Sequence, residues 1–383
     1  MSADTAQGRA ITARPCASPK ENMTLRIEPL HVPASVDAPD AGDWLAYVDI
    51  VHEVLEFDSG TDWFSTPADE WLVGMHNTRY VAREAFVARD GTRIVGIGKL
   101  EYEREAGSDS NIDIAIRVDA RGTGVDDALL AHLERIAQER GRRRSSTFAF
   151  VRPEEMATAE AALLRPTSGF GAVPRDAYMT DFFLRHGYAL GQVERVSAFD
   201  LQGSYEQTER MLDAALAKAG PDYEPVWWQT PTPDEYADGY AAAITRMNTD
   251  VPSGDLTWDE EPWDGDRVRY REGIKQQAGQ IMAVTGVIHR PTGEFVAFSE
   301  LVIGRDRSRV TETYGTLVLQ EHRGHRLGTI VKCLGLLRWH ELVPDSPVVQ
   351  TFNAEENRFM LDVNEAVGFR PVCWSGEWQK ELT

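Results

Sequence analysis

Cysteine is scarce in this sequence, with three in 383 residues: Cys16, Cys333 and Cys373, far apart and without a CxxC pair. No disulfide framework or zinc knuckle can be assembled from them. No stretch approaches the roughly 18 consecutive apolar residues that a membrane-crossing helix needs. Positive charge is also in deficit. Lys and Arg number 40 against 61 Asp and Glu, a formal net charge of −21. Nucleic-acid binding relies on cations that neutralise phosphates, and an anionic membrane asks for the same, so neither partner is expected. An acidic surface tolerates neutral or cationic small molecules better.

Several catalytic signatures are missing too. There is no GxxxxGK[ST], no strand-to-helix GxGxxG and no GxSxG nucleophile elbow. His52-Glu53-Val54-Leu55-Glu56 starts like a zinc-protease HExxH but lacks the second His. It reads as a solvated helix face, and no metal is expected.

What remains is an ordinary globular composition, 42% hydrophobic and 26% charged. At about 150 residues per domain, the length predicts two or three domains. Residues 1–23 are small and polar, without the apolar run of a signal peptide. They read as a flexible N-terminal extension of a cytoplasmic protein, with Met23 an alternative start.

Hydrophobic periodicity divides the rest into two halves with one plan. In the first, over 24–201, a strand from Leu25 leads to a helix that Asp43 can cap. Strands follow near 85–89, 94–103 and 111–118, the first two joined by Asp90-Gly91. Arg121-Gly122-Thr123-Gly124 then opens a helix with Val125, Leu129, Leu133 and Ile136 on one face. A strand at 147–151, a helix at 176–186 and a strand at 193–201 complete this half. Arg142-Arg143-Arg144 reads as a solvated helix end. Residues 202–222 read as a linker helix stopped by Gly220-Pro221. The second half, 223–383, repeats the order with strands near 224–229, 280–289, 294–303, 311–319, 348–352 and 371–378. The Arg-Gly turns lie about 200 residues apart. The fold class is therefore α/β with a mixed sheet, two tandem units each a central sheet flanked by helices.

The second Arg-Gly turn, His322-Arg323-Gly324-His325-Arg326-Leu327-Gly328, joins a strand to a helix. Unpaired amides and the dipole make a helix N-terminus an anion site, and glycines admit a bulky phosphate. His322, Arg323, His325, Arg326 and Lys332 gather positive charge there in an otherwise acidic chain. The first turn differs, because Asp126 and Asp127 stand where a phosphate would rest.

Thr316 to Gly328, together with Asn353-Ala354-Glu355-Glu356-Asn357, Met360, Asn364 and Gly368-Phe369, resembles the GCN5-related N-acetyltransferase (GNAT) family. The two-unit layout is similar to that of actinobacterial members of the mycothiol synthase type. The resemblance implies acetyl transfer from acetyl-CoA to the amine of a small molecule such as an amino sugar, an antibiotic or another amine metabolite. It implies that Leu317, Val318, Leu319, Arg323, Gly324, His325, Arg326, Leu327, Gly328, Thr329, Asn353 and Asn357 bind the cofactor. Arg326 departs from the family's glycine, and Asn364 stands where a Tyr general acid is common; an amide cannot supply that proton. Glu300 is the first candidate for the base, with Glu312 and Tyr314 second. The segment 250–266 holds seven acids and no bases, and Asp255, Trp258, Glu260 and Trp263 are expected to bind a cationic acceptor. The first half is expected to be structural or acceptor-shaping. A homodimer is allowed. Two readings of another class are a non-catalytic acyl-CoA-binding or regulatory protein and a tRNA-dependent aminoacyl transferase, the latter disfavoured by the charge.

Overall fold

The computed structural model describes residues 25–383 apart from Ala106 and Glu260. The expected extension over 1–23 and the acceptor candidate Glu260 lie outside the described residues. The first half contains β1 (Leu25–Pro29), α1 (Gly42–Ser59), α2 (Ala68–His76), β2 (Val81–Asp90), β3 (Arg93–Glu103), β4 (Asp109–Ile116), α3 (Val125–Glu139) and β5 (Arg144–Val151). It continues through α4 (Pro153–Met156), β6 (Leu163–Leu164), β7 (Val173–Pro174), α5 (Tyr178–Arg185) and β8 (Ala189–Asp200). Then come α6 (Glu206–Ala219), β9 (Tyr223–Gln229), α7 (Asp234–Thr245), α8 (Met247–Asp250), α9 (Gly265–Gln277), β10 (Ile281–His289) and β11 (Glu294–Ile303). The chain closes with β12 (Thr311–Val318), α10 (Leu327–Leu342), β13 (Val348–Ala354), α11 (Arg358–Val367) and β14 (Arg370–Glu381). No helix among the described residues is long and apolar enough to cross a membrane.

Twelve strands form one sheet in the order β1-β2-β3-β4-β5-β14-β8-β13-β12-β11-β10-β9. Only β4–β5 and β12–β13 run parallel. The halves exchange their last strands. β14 lies between β5 and β8, while β8 lies between β14 and β13. Packing follows the exchange: fully buried Trp378 of β14 joins Phe183 and Tyr188 of the first half, and Phe199 of β8 joins Trp339 and Phe369 of the second. The expected boundary thus divides the chain in order, but each side holds a strand that completes the other's sheet.

Three local expectations change. The helix over 206–219 spans no open gap: it lies against α10, burying Ala215 with Leu212 and Leu216 at the second half's core. With that cover on one side and the sheet on the other, α10 is buried at many positions. Ala41 rather than Asp43 precedes α1, and the Asp43 carboxylate instead meets Arg89. Arg144 opens β5 and pairs with Asp109, so the arginine run is more than a solvated helix end.

Both parallel pairs come apart soon after they form. β12 and β13 pair only at Thr311–Glu312, and β4 and β5 only at Asp109–Asn111. Each half therefore has a V-shaped gap in its sheet. The two gaps are filled differently.

Candidate functional site

The second half's turn is held open. Gly324 has φ of 88° and Arg326 a φ of 60°, the left-handed conformation that positions the first turn of α10. A non-glycine residue there costs about 1–2 kcal/mol. A Cβ at Gly324 would meet nothing nearby, and one at Gly328 would make only ordinary contacts with Met360 and Val318. The backbone is accessible. In front of it lies a cleft of about 680 Å³ lined by Leu317, Val318, Arg323, Gly324, Arg326, Leu327, Gly328, Thr329 and Asn357, all expected cofactor residues. Arg323 is steadied by hydrogen bonds to the Asp250 carbonyl at 2.5 Å and the Val318 carbonyl at 3.3 Å.

Other members of the expected cluster point elsewhere. His322 bonds the Tyr223 hydroxyl at 3.1 Å, and the His325 ring packs on Tyr223 with centroids 4.9 Å apart. Leu319 is buried, its amide on the Val296 carbonyl. Lys332 is buried on the inner side of α10 with only Thr351 Oγ1 near, at 3.5 Å, and burial lowers its ammonium to about 7. The cationic side chains that described residues place on the cleft are Arg323 and Arg326 at the α10 N-terminus, with the helix amides beside them, and Arg358 of α11.

The cleft runs on into an inner chamber of about 440 Å³, with Val251, Pro252, Thr316, Asn357 and Met360 lining both. Asn353 and Trp258 are on its walls. So are two carboxylates that sequence reasoning missed, Glu194 of β8 and Glu377 of β14. Glu194 lies opposite Ser375, and Glu377 opposite Gln192, which places both acids on one face of the central sheet. Burial raises both, and the Glu194 charge raises Glu377 further. No Lys, Arg or His among the described residues lines this chamber. Burial and like charge therefore disfavour ionisation of both acids together. Their only sequence signal was a Glu in each terminal strand, and nothing in a linear reading pairs residues so far apart.

Beyond Tyr314 is an outer chamber of about 390 Å³, walled by Arg271, Lys275 and Glu312 of the second half and by Trp63, Pro67, Glu70 and Trp71 of the first. Tyr314 is 47% exposed, but to the two chambers it separates. Its hydroxyl lies 2.5 Å from Lys275 Nζ. Burial lowers that ammonium to about 8, and burial raises Glu312.

Glu300 is elsewhere. It is 2% exposed, lines no chamber, accepts a hydrogen bond from Tyr240 and is paired with Arg271 at 2.7 Å. Its carboxylate is committed to holding a tyrosine and an arginine under the chamber wall. Asn364 is likewise 1% exposed and donates to Asn353 Oδ1 at 2.6 Å, away from either chamber. Both therefore serve as supports for the residues that do face the cavities.

Five of the seven acids of 250–266 make internal ties. Asp250 accepts from Gln320 N and pairs with Arg246. Asp255 grips Thr167 N at 2.8 Å, Asp259 accepts from Asp109 N, Glu261 pairs with Arg267, and Asp264 caps α9 through Arg267 N. This removes the reason for expecting a cationic pocket there: the segment buckles the halves together. Trp263 faces Arg267 and Arg271 at 4.5 and 5.0 Å and is packed against the core. Of the expected acceptor residues, Trp258 alone among those described faces the inner chamber. His52 bonds the Thr66 carbonyl at 2.8 Å.

The first half's turn is occupied by its own side chains. Arg121 forms a fork on Asp58 at 2.8 and 2.7 Å. Asp126 accepts from Gly122 N, Asp127 N and the Tyr178 hydroxyl. Its carboxylate takes the place of an anion. The neighbouring gap is packed with aromatics, Phe64 stacking on Phe150 at 4.4 Å. Its remaining cavity is about 220 Å³.

No family model matches the chain, and no curated protein does. Solved structures do. A tandem GNAT protein from the clavulanic acid biosynthesis pathway, in a form without acetyl-CoA, shares 21% identity at a TM-score of 0.69, covering 94% of this chain and 99% of its own. A GCN5-related N-acetyltransferase from Sphaerobacter thermophilus gives 14% identity and a TM-score of 0.57, with 94% and 96% covered. A glucosamine N-acetyltransferase region of a fungal multi-domain β-N-acetylglucosaminidase gives 15% and 0.56, with 94% of this chain and 38% of that one covered. The chain has the tandem GNAT fold. The likeness bears on the two-unit plan and not on the narrower mycothiol synthase resemblance.

Proposed function

We propose that this chain is a cytoplasmic N-acetyltransferase whose second half takes acetyl-CoA and whose chambers take a small-molecule amine. One observation carries the reading: an open, arginine-flanked helix N-terminus leads without a break into a chamber holding two uncompensated carboxylates. Acetyl-CoA supplies a thioester whose carbonyl an amine can attack. The α10 amides with Arg323 and Arg326 would hold its phosphates, and Gly324 and Gly328 leave room for them. From Thr313 onward β12 has no ladder to β13, so amides on that edge are free to polarise the carbonyl. Asn353 and Asn357 stand where amide groups of the donor would pass.

The base moves from Glu300 to Glu194 and Glu377. An ammonium acceptor entering the inner chamber meets the only carboxylates that described residues place on its wall, and their raised affinity for protons suits removal of one near neutral pH. The nitrogen then bonds to the carbonyl carbon, the carbon–sulfur bond breaks, and the thiolate takes its proton from water, since Asn364 offers none. The first half shapes the acceptor space through Trp63, Pro67 and Trp71 and binds no donor of its own.

The second reading is a non-catalytic acyl-CoA-binding protein, favoured by Asn364 standing buried where a phenol acid is common. Thiol release and product mass across amino sugars, aminoglycosides, polyamines and amino acids separate the two. Acetylated product supports the enzyme. Tight acetyl-CoA binding without thiol release from any amine supports the binder.

A further inference from the structure

The two chambers differ in charge, and the difference is informative about what could span them. The inner chamber carries Glu194 and Glu377 and no cationic side chain. Glu194 accepts no hydrogen bond from a described residue, and Glu377 accepts one from Ser375 at 2.7 Å. In the outer chamber most charges are engaged: Arg83 with Glu101, Arg271 with Glu300, Arg309 with Asp62, and Glu70 with Gln280 and the Arg305 amide. Lys275 is the exception among the cations. Its Nζ meets the hydroxyl and ring of Tyr314, the ring at 3.8 Å, and no described carboxylate stands within ion-pair reach. Glu312, Glu300 and Glu70 act on it only from a distance, and Arg271 opposes them. Tyr314 lines both chambers, so a molecule reaching past it would meet acid on the inner side and, on the outer side, the Lys275 ammonium with Glu312 on the same wall.

Resting on the acetyltransferase reading above, we infer that the acceptor is an amino acid in the broad sense, its amine directed to Glu194 and Glu377 and its carboxylate to Lys275. The inner acids and Lys275 then gain opposite charges from the ligand, which offsets the cost of desolvating them, while burial pushes Glu312, on the same wall as Lys275, toward its neutral form. A plain cationic amine would leave Lys275 uncompensated. A polyamine would add a second positive charge beside it. The acceptor's charges cancel, which also suits an acidic protein that would neither repel nor concentrate it.

The test uses the full chain with CoA, the unreactive product, and isothermal calorimetry. Glycine, β-alanine, 4-aminobutyrate and 6-aminohexanoate are titrated against alkylamines and alkyl carboxylates of matching length, with aminoalkyl phosphates as a further series. One amino acid length is expected to bind about 10- to 100-fold more tightly than its matched amine, the worth of a charge-assisted contact. Lys275→Met is expected to collapse that difference and Lys275→Arg to keep it. The same amino acid should yield N-acetyl product with acetyl-CoA. Equal binding of amine and amino acid, a difference that survives Lys275→Met, or no amino acid binding at 50-fold the protein concentration and above would overturn the inference, and a preference for phosphates would overturn the carboxylate assignment. Failure of CoA itself to bind overturns the acetyltransferase reading and this one with it. CoA binding without amino acid preference overturns this one alone.

Discussion

The two Arg-Gly turns are the same backbone device put to opposite ends. Arg121-Gly122-Thr123-Gly124-Val125-Asp126 and Arg323-Gly324-His325-Arg326-Leu327-Gly328 each place a left-handed residue, Gly124 or Arg326, just before a helix. In the first, a carboxylate from inside the helix folds back onto the loop amides, and Asp58 neutralises the arginine. In the second, Gly328 offers no side chain to do so, and Arg323 is held by backbone carbonyls that leave its charge intact. On the proposed reading, an anion site would be switched off less by losing cations than by acquiring an internal anion.

The largest break in that comparison is Gly328→Asp, which transplants the Asp126 carboxylate into the working turn. Calorimetry should show acetyl-CoA affinity falling about 100-fold or more, with thermal stability little changed. Retained affinity would sink the phosphate assignment.

Glu194→Gln should lower kcat/KM by about 100-fold near neutral pH, a typical loss for a removed base. The sign of the pH dependence follows from the raised carboxylates: activity should climb with pH as they lose their protons. Glu377→Gln removes the like charge beside Glu194 and should move that climb to lower pH. Because the folded state binds protons more tightly there than the unfolded chain, these acids cost stability as pH rises through their folded values. Glu194→Gln should therefore raise the melting temperature at pH 8 more than at pH 5.

Asp126→Gly sharpens the comparison from the other side. Freed of its carboxylate, the first turn should bind pyrophosphate only at millimolar level, because Arg121 stays paired with Asp58. Stability should drop by about 1–2 kcal/mol with the loss of the amide contacts, read by denaturant unfolding. The smallest effect belongs to Arg326→Gly. Relief of the left-handed strain should stabilise the fold by up to about 1 kcal/mol, while loss of one exposed cation weakens acetyl-CoA less than tenfold.

Much of this was readable in the linear chain where local chemistry decides. The apolar face of α3, the Asp90-Gly91 hairpin and both Arg-Gly turns rest on spacing alone, and Asp126 was legible because a helix's first turn favours an acid. Side-chain destination was less legible. The crowded acids of 250–266 look like a cationic pocket until their partners are known, and those partners lie up to about 150 residues away in sequence. Lys332 reads as part of a basic cluster because nothing in the linear chain shows that it turns inward toward Thr351 and Phe369. Glu300 and Glu194 are indistinguishable as strand glutamates; Arg271 and Tyr240 decide between them. The pairing of β8 with β14 is invisible to periodicity, since either half could have kept its own last strand.

The strand exchange bears on how the molecule comes into being. During synthesis, residues 24–201 emerge first, but the sheet position beside β5 stays vacant until 370–381 have been made. The first half must wait with an exposed strand edge through nearly half of the chain's production, a state prone to mispairing. The inner chamber waits as well, since one of its carboxylates rides on β8 and the other on β14. A partly made copy lacks one wall of that chamber, so on the proposed reading a nascent chain would stay inert until its last strand is in place.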